Sequence, residues 1–174
     1  YEILIGLVGS GDVYKRQIMK FGFEAFCQKC VECGIDGVII PDLPFKDYEE
    51  TYKPIADRYD IRVIMLITPE TSEARVREID EHTDGFIYMV SSAATTGAQK
   101  DFDSQKQAYF KKIQDMHLRN PRMVGFGISN KQTFDAACAN SSGAIIGSRF
   151  VTLLNEAEGD AEKAITQLKE GLKK

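Results

Sequence analysis

Three glycine-centred segments hold the residues best placed for chemistry: Thr95-Thr96-Gly97-Ala98, Gly125-Phe126-Gly127-Ile128-Ser129 and Gly147-Ser148. Each follows a short apolar run of strand length. Bare glycine amides at the ends of successive parallel strands suit a phosphate monoester. Gly127, with Ile128, can turn backbone N–H groups towards a dianion with no side chain in the way. Gly147 and Ser148 open a helix, so their amides add to the positive end of its dipole, and Ser148 also offers a hydroxyl. Gly97 lies in a long loop of Ser, Ala and Thr that can fold over a ligand as a lid. Any one of these glycines alone reads as a tight turn; the three together read as a phosphate site.

The other candidates carry less. Asp42 stands at a strand end between Pro41 and Pro44, where its carboxylate either faces a ligand or caps the next helix. Tyr88 points either into the mouth of the sheet or into the core. His82 lies at the wrong end of a strand and His117 on a helix, so neither is read as catalytic, and no metal site is expected. The spacing Cys27-x-x-Cys30-x-x-Cys33 can ligate an iron–sulfur cluster. In a helix, however, steps of three keep the thiols near one stripe, where free cysteine packs as a small apolar residue.

The elements that must position these groups alternate. Helices are expected at 19–33, 46–58, from the Thr68-to-Glu73 caps to about 81, and at 105–118, 130–139, 148–157 and 160–172. Strands are expected at 37–40, 62–67, 85–90, 123–125 and 143–146. Strands apolar on both faces, each followed by a helix, mean a parallel sheet covered by helices. An open doubly wound sheet would place its phosphate on one G-x-G-x-x-G turn. Here Asn130 occupies the third glycine's place. The loops therefore favour a (β/α)8 TIM barrel. A complete one needs about 250 residues, against 174 here, so an incomplete barrel of about the last five βα units is expected. Residues 1–17 show neither period and read as a segment outside a domain spanning 18–174.

Composition limits the partners. The formal net charge is −4 with acids and bases interspersed, so the basic footprint of a nucleic-acid binder is missing. The longest apolar stretch falls short of the roughly 20 residues of a membrane span, and a cytoplasmic protein is expected.

Four segments, Gly34 to Pro44, Gly85 to Gly97, Gly125 to Ser129 and Gly143 to Ser148, closely resemble the tryptophan synthase alpha chain, in that family's order and spacing. The Pro41-Asp42-Leu43-Pro44 segment and the Thr96-Gly97 loop set it apart from other phosphate-binding barrels. The resemblance implies cleavage of indole-3-glycerol phosphate to indole and glyceraldehyde 3-phosphate. It also implies an alpha2beta2 complex with a beta subunit, in which pyridoxal phosphate belongs to beta alone. By the same resemblance Gly97, Gly127, Gly147 and Ser148 cradle the substrate phosphate and Thr96 belongs to the closing loop. Tyr88 would flank the substrate, and Asp42 would lie near the subunit interface and the substrate site. The family's proton-transferring glutamate and its partner aspartate would precede Ile18, so the chain as given is expected to be inactive. A non-catalytic phosphate-binding or beta-docking half-barrel is the alternative.

Overall fold

A computed structural model describes residues 11–41, 43–90, 104–125 and 127–173. The chain divides into two compact units, 1–66 with 72–87, and 67–71 with 88–174.

The first unit begins with helices α1 (Gly11–Phe21) and α2 (Phe23–Glu32). The single helix expected over 19–33 is broken at Gly22, whose φ of 98° lies where L side chains are strained. α1 also reaches back to residue 11, into a stretch where no helical period is evident. In α2, Phe23, Cys27 and Cys30 form the buried stripe, at the spacing of one helical face. Parallel strands β1 (Gly37–Ile39) and β2 (Arg62–Ile64) pair Gly37 with Arg62 and Ile39 with Ile64. Between them run α3 (Phe45–Asp47), a π-helical turn over Tyr48–Tyr52 and α4 (Lys53–Arg58). Phe23 meets the Tyr52 ring edge-on at 4.9 Å.

The strand expected over 62–67 is interrupted at Met65. Beyond it β3 (Leu66–Ile67) joins a different sheet, so six strands stand among the described residues where five were expected. α5 (Glu73–His82) returns to the first unit, its Arg75 amide donating to the Ser72 hydroxyl at 3.3 Å.

The four-stranded sheet, most of whose residues belong to the second unit, runs in the order β3, β4 (Ile87–Val90), β5 (Arg122–Gly125) and β6 (Gly143–Ala144). Every residue of β4 is buried, as expected of a strand covered on both faces. α6 (Ser104–Asp115) turns Tyr109, Phe110 and Ile113 inward. It ends before His117, which sits off the helix at φ 50°; the helix expected to 118 is shorter because that residue turns left-handed. α7 (Lys131–Cys138), α8 (Ser148–Glu156) and α9 (Ala161–Gly171) complete the unit. Leu153, Ala157 and Ala164 form a small core between α8 and α9, packed by Phe150, Leu154 and Leu168. No helix among the described residues is long and apolar enough to cross a membrane.

Candidate functional site

The register of β5 against β6 organises the site. Met123 pairs with Gly143 and Val124 with Ala144, and the Ile145 amide donates to the Val124 carbonyl at 2.8 Å. The pairing runs at an offset of twenty residues, and the same offset carries Gly127 to Gly147. Neighbouring strands lie about 4.8 Å apart. The two glycine segments therefore leave adjacent strand ends on the same side of the sheet.

The local bonds decide which amides are open. After Gly127, at φ 78°, the amides of Ser129 and Asn130 donate to Thr133 Oγ1 at 3.2 and 3.3 Å. Asn130 Oδ1 accepts from the Thr133 amide at 2.9 Å, closing a reciprocal cap on α7. Those donors are used. Among the described residues the amides of Gly127 and Ile128 meet no acceptor. α8 differs from its neighbours. Side chains cap α7 and α9, through Asn130 and Asp160, but Gly147 caps α8 with none. The first-turn amides of α8, from Ser148 on, are left without a side-chain acceptor at an exposed helix start. A Cβ added to Gly147 would meet nothing within 4 Å, so this glycine borders open space. Two sets of unclaimed amides at adjacent strand ends can hold an anion.

Tyr88 on β4 is 8% exposed. A Cβ on Gly125 of the neighbouring strand would overlap its ring and hydroxyl. Gly125 is thus the space in which the Tyr88 phenol lies, a role hidden in the sequence because strand pairing is not written there. Burial pushes the Tyr88 hydroxyl up to about 12. Asp42, Thr96 and Gly97 lie outside the described residues.

His82 ends α5 and meets the Glu49 carboxylate of the π-helical turn through Nδ1, with the Phe45 ring edge-on at 6.2 Å. The Arg75 guanidinium lies 5.1 Å over that same ring. Cys27 and Cys30 are buried, and Cys33 is exposed at the end of α2. Burial first, then neighbouring Cys30, pushes the Cys27 thiol up to about 11. Among the described residues no group of His, Cys, Asp or Glu is arranged to hold a metal.

Parallel strands alternating with helices, and glycine loops at their ends, define a β/α protein of TIM-barrel type. The comparisons place it more narrowly. The family model for the tryptophan synthase alpha chain matches residues 12–174, a span that begins ahead of Ile18. The tryptophan synthase alpha chain of Bacteroides thetaiotaomicron is 74% identical over 99% of this chain, and that of Bacteroides fragilis 78% identical over 97%. A solved structure of the tryptophan synthase α2β2 complex from Pyrococcus furiosus superposes with a TM-score of 0.72 at 27% identity. That match covers 90% of this chain and 61% of the other. The chain belongs to the tryptophan synthase alpha chain family. It spans 66% and 63% of the length of the two Bacteroides relatives.

Proposed function

We propose that this chain serves the alpha reaction of tryptophan synthesis, the cleavage of indole-3-glycerol phosphate to indole and glyceraldehyde 3-phosphate. The observation that carries the reading is the shared offset that sets Gly127 and Gly147 at adjacent strand ends, both with open amides. In this reading the amides of Gly127, Gly147 and Ser148, with Gly97 from the loop after β4, hold the substrate phosphate. Thr96 belongs to the closing loop. Tyr88 flanks the apolar end of the substrate, its neutral phenol held in place by Gly125. Asp42 stands where the partner meets the site.

The partner is a beta subunit, in keeping with the α2β2 assembly of the Pyrococcus relative. Pyridoxal phosphate chemistry belongs to that partner, and the whole system works in the cytoplasm.

Titrating the chain with glycerol 3-phosphate tests the reading, and indole release from indole-3-glycerol phosphate separates a catalytic chain from a phosphate-binding half-barrel without turnover. Saturable binding that Gly127→Val abolishes supports it. Absence of saturation, or binding indifferent to that substitution, sinks it.

A further inference from the structure

A cavity of about 150 Å³ opens between the start of α7, the first turn of α8 and the end of α9, lined in part by Asn130, Arg149, Leu153, Gln167, Leu168 and Leu172. Its polar walls hold donors that the fold does not use. Asn130 spends its Oδ1 on the α7 cap, and among the described residues its side-chain N–H groups meet no acceptor. Among the described residues the Arg149 guanidinium has a single ion pair, to Glu156 at 3.9 Å, the outer limit for such a contact. That pair is half exposed and weak. Gln167, exposed on α9, makes no hydrogen bond among the described residues. The floor is apolar: Leu153 is buried, and Leu168 and Leu172 are half-buried.

We propose that this cavity binds a small monocarboxylate with an apolar body. A planar guanidinium matches a carboxylate fork in two parallel hydrogen bonds, and the amide N–H groups of Asn130 and Gln167 donate from either side. The three leucines cover a ring or short alkyl chain. Free phosphate leaves the apolar floor uncovered, and a neutral ring leaves the guanidinium with only its weak pair to Glu156. Apolar walls with a few convergent polar groups are the usual build of a small-molecule site. The inference rests on the side chains of Arg149, Asn130 and Gln167, whereas the phosphate reading rests on the backbone amides of Gly127, Gly147 and Ser148.

Benzoate titrated into the full chain, followed by calorimetry or amide chemical shifts, is the test. The expected result is saturable binding of benzoate, with benzamide at least about tenfold weaker. Arg149→Gln weakens benzoate by about tenfold, the loss of one charge-assisted pair. Saturating glycerol 3-phosphate leaves the titration unchanged. Gln167→Glu, at an exposed position, sets a second carboxylate beside the guanidinium and weakens benzoate as well. It decides the matter should Arg149→Gln also lower the urea midpoint. Absence of saturation, equal affinity for benzamide, wild-type affinity in Gln167→Glu, or displacement by glycerol 3-phosphate overturns the proposal.

Discussion

Gly125 and Tyr88 depend closely on one another. The overlap that a Cβ at position 125 would make falls on ring atoms as well as the hydroxyl, and a buried ring cannot yield as a flexible chain end does. Gly125→Ala is expected to destabilise the fold by about 1–3 kcal/mol, read from urea unfolding. Tyr88→Phe in the same background recovers part of that loss by removing the nearest atom. The same phenol gives a pH dependence with a definite sign. Burial raises its folded value to about 12, whereas a tyrosine in the unfolded chain ionises near 10. The contribution is therefore complete below about pH 10 and is lost as the pH climbs towards about 12. Tyr48 in the first unit is raised to about 12 by burial, then by Asp57 and Asp84, and acts in the same window. The urea midpoint should fall between about pH 10 and about pH 12, less steeply in Tyr88→Phe. A flat profile would show that neither phenol is held neutral by the fold.

Helix ends are the elements' strong and weak points. Asn130→Ala removes the α7 cap and should cost about 1 kcal/mol, with Asn130→Ser restoring most of it. The end of α8 runs the other way. Gly159 donates to the Leu154 carbonyl at 2.9 Å and Glu158 to the Asn155 carbonyl at 3.1 Å, the two bonds of a left-handed helix stop. Glu158, at φ 55°, turns left-handed there, and Gly159 follows at φ 88°. Glu158→Gly should therefore stabilise the chain by roughly 0.5–1 kcal/mol, since glycine takes that conformation without the Cβ penalty. Equilibrium unfolding of the two variants side by side checks both signs. These ends also show what the sequence made legible. Ser72, Asn130 and Asp160 each accept from the amide three residues on, at the spacing a cap requires. Their helices fall close to the expected bounds. Two boundaries were illegible for a reason of the same scale. Phe23 continues the apolar stripe past Gly22, so periodicity alone runs the two helices together. Met65 is apolar within an apolar run, so nothing local marks where β2 ends and β3 changes sheet. For the site, the glycines announced open amides. The Tyr88–Gly125 contact and the cavity beside Arg149 depend on pairing and packing between distant segments, which no local pattern encodes.

At the scale of the molecule, the described part of the proposed site, Tyr88, Gly127, Gly147 and Ser148, lies wholly within the second unit. A ligand that binds only the folded chain stabilises it by about 2.7 kcal/mol at one hundred times its dissociation constant. Where that gain appears is informative. Amides that donate to no internal partner exchange readily until an anion accepts from them, and the strands they follow open only when the loops let go. Glycerol 3-phosphate should slow hydrogen exchange most in peptides covering 122–130 and 143–150, next in the paired β4, and should raise the thermal midpoint in a dose-dependent way. Gly127→Val should erase both responses while the benzoate titration persists. Protection that rises equally along the second unit would mean that the phosphate stabilises by general ion exclusion, and would separate the open amides from any ligand.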